Sequence, residues 1–399
     1  MTTLTSVDAR ALPPLWMISL MPALGLFTFA VHLPSIPAIA TEFGVGPEPI
    51  QFTVTVYLAA MALFSLITGP LSDRLGRRRV GLFLLFIFLI GSVAALLSSS
   101  AEQLLAARLL QGIGASGGIV LSRSMVGDAL RGQAAAKAAA QVSMAVAISP
   151  MVAPLFGGYI QQVFGWRANF AIVVLFALGL LLLAMQRLVE TLPEHKRYIS
   201  SYLSMLTDYI KLLGARKFQA HTLPIMCGAI GLFTYQTGAP VLLIEGMHVS
   251  PAIYGWFAAT PAMGFMGGTF ITMRIALHVK EKTLIEVGCM LFITSGLLIF
   301  GLSLWRSPTP WAVALPMLLF GAGNGLLMPT ATIGSMSVTP LLIGSAAALV
   351  GFLRMGAGSA GSFIITALPS DSGVTLGCVI SLAGFGALFS WLRLAQRER

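Results

Sequence analysis

The chain has 399 residues, of which 57% are hydrophobic and only 10% charged, with a mean hydropathy of +0.88. A water-soluble surface cannot be built from that composition, so an all-α integral membrane protein is expected. The net charge of +10 raises nucleic acid as a partner, but the positive residues gather in the breaks at one end of the apolar runs, which is a topology signal.

A hydrocarbon core about 30 Å thick takes roughly 20 apolar residues per helix. Twelve runs meet that length: 15–37, 50–72, 79–98, 103–126, 134–160, 167–187, 218–242, 252–274, 283–304, 309–331, 340–367 and 372–392. They are continuous, without the alternation of barrel strands. Met1-Thr2-Thr3 and Asp8 precede the first run, and no A-x-A site follows a short apolar core, so the first run is expected to remain as a span.

The first run carries His32 and closes on Leu33-Pro34-Ser35-Ile36-Pro37. The second, with Tyr57 inside it, leads into Gly69-Pro70-Leu71-Ser72-Asp73-Arg74-Leu75-Gly76-Arg77-Arg78-Arg79, which sets five charges in one tight turn. Gly69 and Gly76 are expected where the backbone bends or packs closely, and Asp73 where a helix N-terminus needs an acceptor. Arg108 lies about five residues into the fourth run, where an unpaired guanidinium costs about 2.5–3.5 kcal/mol; it is expected to face a cavity and to have a partner. Gln111, three residues on, shares its face. That run closes on Ser122-Arg123-Ser124-Met125-Val126-Gly127-Asp128. In the fifth, Pro150, Pro154, Gly157 and Gly158 are expected to bend the helix and let a neighbour approach.

Residues 188–217 form the one long polar break, with Glu190, Glu194, His195, Lys196, Arg197, Asp208, Lys211, Arg216 and Lys217. They divide the chain into an N-terminal six-helix bundle (1–187), a connector and a C-terminal six-helix bundle (218–399). With the N-terminus inside, nineteen of the twenty-four Lys and Arg residues fall on the inner side: Arg10, the Asp73 turn, Arg131, Lys137, residues 187–217, Arg274 to Lys282, Arg393, Arg397 and Arg399. Arg167 and Arg306 fall outside, which predicts N-in, C-in. In the second half Tyr235, Gln236 and Asn324 are further polar candidates, and Arg354 lies near the middle of the eleventh run. Cys227, Cys289 and Cys378 sit in separate apolar runs without CxxC spacing and read as apolar fillers.

The Asp73 turn resembles the signature loop between spans two and three of the major facilitator superfamily. Arg108-Leu109-Leu110-Gln111-Gly112 resembles its fourth-span pattern Arg-x-x-Gln-Gly, and Ser149-Pro150-Met151-Val152-Ala153-Pro154-Leu155-Phe156-Gly157-Gly158 is similar to the motif of its twelve-span drug:proton antiporters. The Leu33-Pro34 close, the Ser122 to Asp128 segment and Gly344-Ser345-Ala346-Ala347-Ala348-Leu349 are similar to the Bcr/CflA group of exporters. The resemblance implies the major facilitator fold, a bacterial inner-membrane location, and alternating access driven by a proton gradient without a cofactor. It also implies that Asp73, an Arg of the turn such as Arg74 or Arg77, and Asp128 form an inner-side network holding the outward-facing state. Small-molecule substrate, protons and membrane lipids are the expected partners of a monomer.

The resemblance implies an acidic residue, common in this group, where this chain has Ala30, and no Asp or Glu lies deep in any run. His32, whose unperturbed pKa is about 6.5, is the substitute candidate; a histidine merely satisfied by water or a carbonyl is the competing reading. Arg108 and Arg354 together give a cavity two positive charges, which favours a polar or anionic metabolite such as a siderophore. Multidrug efflux of the chloramphenicol or bicyclomycin type, and uptake or facilitation, are the alternatives. A membrane enzyme is disfavoured because His32, His195, His221, His248 and His278 are scattered and no paired carboxylates occur within a run. No Walker-type sequence is present, so ATP is not the direct driver.

Overall fold

The computed structural model of the protein describes residues 13–194, 202–276, 278–305, 309–338, 342–368 and 372–395. Arg10, His195, Lys196, Arg197, Arg306, Arg397 and Arg399 lie outside the described residues. All regular structure among the described residues is helical.

Helix α1 (Leu15–Val31) breaks at a 3-10 turn, Leu33–Ser35, and resumes as α2 (Ile36–Phe43). Pro34 and Pro37 cause the break, since each removes a backbone donor. α3 (Pro47–Leu75) and α4 (Arg77–Leu97) are joined through Gly76 alone, at φ +98°. That conformation is closed to most side chains, so this glycine is required by geometry. α5 (Ala101–Ala129), α6 (Gly132–Phe164) and α7 (Trp166–Arg187) complete the first half. α8 (Tyr202–Gly214) lies within the connector, and its Tyr209 and Leu212 are buried in the core of the second half. α9 (Arg216–Pro240) widens into a π-helical stretch, Val241–Gly246, where Pro240 removes a helix donor. α10 (Pro251–Ile275), α11 (Glu281–Ser303), α12 (Pro310–Met336), α13 (Ile343–Ala367) and α14 (Gly373–Ala395) follow.

Eleven spans of the described residues are long and apolar enough to cross a membrane. The twelve-run count of the sequence differs by α10, which is 25 residues long but is not among them. Gly255, Thr260, Pro261, Gly264, Gly267, Gly268 and Thr269 lower its hydropathy, and the structure shows what most of these small residues do. A Cβ on Gly264 or Gly268 would collide with the α12 backbone at Leu318 or Ala322, and one on Gly321 or Gly325 would strike α10 at Pro261 or Phe265. Hydrophobicity has been exchanged for backbone contact, the usual currency of helix association in lipid.

Two apolar cores form, one from helices before residue 190 and one from residues after 208, with Phe233, Met355 and Ala357 of the second half reaching into the first. The closest contacts between the halves gather at one end of their long axis. There α6 and α10 touch backbone to backbone: a Cβ on Gly158 would strike the Pro251 carbonyl, and one on Gly255 the Pro154 carbonyl. Beside them Gln51 donates to the Thr237 carbonyl at 3.1 Å, Thr55 to Ser362 Oγ at 2.8 Å, and Ser359 to the Thr55 carbonyl at 2.9 Å. Toward the other end, the end of the Asp73 turn, the halves part: from Arg131 to Ser149 only Ala138 and Val142 of α6 are buried.

Gly158→Val should open the sealed end. Glu48 and Glu245 approach each other there across the halves, so spin labels at those two positions, with the three native cysteines replaced by alanine, report the separation. A short distance in the parent and a longer, broader one in the variant is expected; an unchanged distance would show that the backbone contact does not hold the seal.

Candidate functional site

At the open end, one guanidinium organises the Asp73 turn. Arg77, the first residue of α4, bonds Asp73 Oδ1 at 2.5 Å through Nη2, Asp128 Oδ2 at 3.0 Å through Nε, and Ser72 Oγ at 2.5 Å through Nη1. Thr191 adds a 3.2 Å bond to Asp128. The α4 helix has no acidic residue in its first turn, and Glu190 supplies the missing acceptor: its carboxylate takes the backbone N–H of Arg77 at 2.9 Å and of Arg78 at 3.3 Å. This is a helix cap delivered from 112 residues away. Asp73 therefore does not serve the helix N-terminus; it sits in the last turn of α3 as an ion-pair partner. Nor is Gly69 a close-packing glycine, since a Cβ there meets only Val120 at an ordinary 3.9 Å. Arg74 is exposed. Ser72, Asp73 and Asp128 belong to the first half and Glu190 and Thr191 to the start of the connector, and these bonds are made while the end is open, so they do not bridge the two halves in this state.

The helix α6 runs unbroken through Pro150 and Pro154. Its Gly157 lies against the Val31 carbonyl of α1 and Gly158 against α10, so the paired glycines touch both neighbours at once. Asn169 of α7 donates to the Gly157 carbonyl at 3.1 Å and to Ser35 Oγ at 2.9 Å, fixing α1, α6 and α7 at the break in span one.

Deeper in the first half lies a closed polar group. Arg108 is wholly buried; its Nη1 donates to Gln111 Oε1 at 2.8 Å and reaches the Thr28 carbonyl at 3.5 Å. Gln111 Nε2 in turn donates to Ser92 Oγ at 3.0 Å. The Tyr57 ring lies 4.2 Å beneath the guanidinium, its hydroxyl tied to the Gly25 carbonyl at 2.7 Å. Gly112 makes this stacking fit, because a Cβ there would strike the Tyr57 carbonyl. No carboxylate joins the group among the described residues, so a π face and an amide carry the charge. His32 is also wholly buried within electrostatic reach of Arg108, the Thr28 and Phe29 carbonyls being its nearest acceptors. Thr28 Oγ1, both His32 ring nitrogens, and Arg108 Nε and Nη2 have no hydrogen-bond partner of normal geometry. Arg108 is thus enclosed in this state and has no surface on an open cavity, where a cavity-lining position was expected for it.

In the second half, Tyr235 is buried and donates to the Phe257 carbonyl at 2.8 Å. Gln236 and Asn324 are nearly buried, and Gln236 Oε1 lacks a partner. Arg354 is half-buried, and the charge facing it belongs to Arg123 of α5, in the other half. The pairing of Arg108 with Arg354 expected from the sequence is replaced by Arg123 with Arg354. Arg123 was visible only as one letter of a motif, and Glu190 only as a connector charge. An acid-free first turn in α4 was the signal for the latter.

A polytopic helical protein of two halves, sealed together at one end and parted at the other, is what these features define. The chain belongs to the Major Facilitator Superfamily, whose family model matches residues 18–362. It is 29% identical to the Multidrug resistance protein D of Escherichia coli (strain K12), covering 96% of each chain. It is 28% identical to the Chloramphenicol resistance protein of Pseudomonas aeruginosa, over 86% of this chain and 81% of that one. Both carry resistance names, in agreement with the Bcr/CflA-like efflux branch that the motifs resemble. The structure of the xylose transporter XylE from E. coli superposes with a TM-score of 0.72 at 17% identity, covering 95% of this chain and 97% of that one, a likeness of fold.

Removing Arg77 strands two carboxylates, so Arg77→Ala is expected to lower unfolding stability by about 1.5–3 kcal/mol. Glu190→Ala, which removes a cap, costs about 1 kcal/mol, and Arg74→Ala nothing measurable. Thermal unfolding of the purified variants in detergent checks the ranking.

Proposed function

We propose that the protein is a secondary exporter of small organic molecules with drug-type breadth, moving them outward across a bacterial inner membrane in exchange for protons. In this reading it has twelve spans, with α10 as the eighth, and both termini in the cytoplasm. The bundles 1–187 and 218–399, joined by the connector 188–217, rock about a central path, and one chain is the working unit. Three observations support it: the positive residues gather at the Asp73 end, the motifs resemble an efflux branch, and the named relatives are resistance proteins. The halves meet at one end and part at the other, which is the geometry alternating access needs. The observation that carries the reading is the parting at the positively charged end, because an exporter must load from the cytoplasm. A siderophore as substrate has no support in the relatives' names, and drug-type molecules take its place.

Proton coupling falls to the closed group of the first half. With alanine at position 30, no carboxylate is at hand, and His32 is the titratable side chain beside the fixed charge of Arg108. The group lies near the sealed end, since Val31 directly underlies Gly157. Opening that end exposes His32 and Arg108 to the outside, where a proton would enter. Tyr57 and Gln111 hold the guanidinium in either state, and the Asp73–Arg77–Asp128 network keeps the inner ends of the first half rigid while the halves move. Tyr235, Gln236 and Asn324 line the path of the second half in this reading.

Chloramphenicol movement into inverted membrane vesicles should depend on an imposed pH gradient, and His32→Ala should flatten that dependence without abolishing drug binding. An unchanged pH profile in His32→Ala removes the residue as proton carrier. Outward movement that survives collapse of the gradient in the parent points to facilitation instead.

A further inference from the structure

The open cleft holds two arginines from opposite halves that no carboxylate answers. Arg123 is six residues from the end of α5, about 9 Å into the helix, and Arg354 is eleven residues from the start of α13, about 17 Å in. Both lie within apolar runs of the sequence, 103–126 and 340–367. Arg123 is exposed and Arg354 half-buried, so neither guanidinium is closed into the core of its own half. Neither makes a hydrogen bond or ion pair among the described residues, whereas Arg77 and Arg108 are each bonded through at least one nitrogen. A Cβ on Gly127, one turn from Arg123, or on Gly351, one turn before Arg354, meets nothing within 4 Å, so no neighbouring element packs closely on those two positions.

From this juxtaposition we propose that Arg123 and Arg354 form an anion-binding site spanning the two halves, which takes the carboxylate, sulfonate or phosphate group of an otherwise apolar organic substrate. The site rests on the reading of this cleft as the substrate path and names a substrate class for it. Guanidinium groups suit the role because their planar forks hold an oxyanion with two parallel bonds each, and they stay charged at any cellular pH. Their placement adds a second consequence. Closing the inner end brings α5 and α13 together, and two like charges in a narrowing apolar cleft oppose that motion. An anion between them removes the repulsion and ties the halves to a common ligand, so an anionic substrate favours the step that carries it outward, while a neutral one moves without that help. A lipophilic cation is rejected by the same two residues.

Chloramphenicol and its succinate ester test the site, because they differ by one carboxylate. Binding of each to the purified full-length protein is measured by microscale thermophoresis for the parent chain, Arg123→Ala, Arg354→Ala, Arg354→Lys and the double alanine variant. Monodispersity and melting temperature establish that each variant is folded. The parent should bind the ester more tightly than the drug. Each alanine variant should raise the Kd of the ester about tenfold or more and leave that of the drug unchanged. Arg354→Lys should keep part of the preference, and the double variant should be little worse than either single one, since both residues serve one oxyanion. Binding of the ester but not of the drug, with the arginine dependence intact, keeps the anion site and overturns the drug-type reading. Failure of the parent to bind the ester, or equal losses for both compounds in Arg354→Ala, overturns the anion site and leaves the exporter reading standing.

Discussion

Backbone contact between α6 and α10 is the constraint from which the rest of the architecture follows. In lipid, side chains gain little by leaving the surrounding hydrocarbon, so helices associate through close van der Waals contact and through polar bonds with nowhere else to go. Gly157, Gly158 and Gly255 let three helices approach until carbonyl oxygens occupy the places that Cβ atoms would take. This contact fixes which end of the protein is sealed, and therefore which faces of α5 and α13 look onto an open cleft. The hydrogen bonds of Gln51, Thr55 and Ser359 across the halves add to the seal. At about 0.6 kcal/mol each, as such bonds average in membranes, the three together contribute about 2 kcal/mol. That is enough to bias a two-state equilibrium and too little to freeze it.

The arginines inside or bordering the spans show three solutions to one problem. Arg77 is neutralised by Asp73 and Asp128 and becomes a rigid joint of the first half. Arg108 is enclosed with an amide, a carbonyl and the Tyr57 ring, which together spread its charge without cancelling it. Arg123 and Arg354 are left to solvent and to each other. Only the last arrangement leaves a charge available to a ligand, which is why the substrate argument moves from Arg108 to Arg123 once the fold is known.

Much of this was legible in the chain, for reasons that differ by element. Span boundaries follow from apolar length, and Gly76 from the need for a tight turn within a charged motif; both are local properties. The Pro150 to Gly158 segment announced close packing, though not its partners, because α10 is distant in sequence and its own glycines and threonines blur its signal as a span. Gly69 was misread because glycine frequency in a turn does not reveal which glycine is under constraint. Glu190 was hidden for another reason: a cap supplied from the far side of three helices leaves no spacing to detect. The Arg123–Arg354 juxtaposition depends on how the two halves face each other, and no single segment encodes that.

The position of Ala30 gains its meaning from the group around it. A carboxylate beside Arg108 would form an ion pair whose protonation state changes the local charge between neutral and positive. With alanine there, His32 is the titratable side chain beside Arg108, and in the proposed cycle a change on it would run between one positive charge and two. Five polar atoms of Thr28, His32 and Arg108 lack protein partners of normal geometry in the sealed state, and atoms left unpaired cost about 1–3 kcal/mol each. That cost weighs against the sealed end and opposes the glycine contacts and the hydrogen bonds of Gln51, Thr55 and Ser359. A second positive charge on His32 would increase it further. In the proposed cycle a proton taken up at the open outer end must therefore be compensated before that end reseals, because antiport requires the protonated carrier to return to the inward-open state.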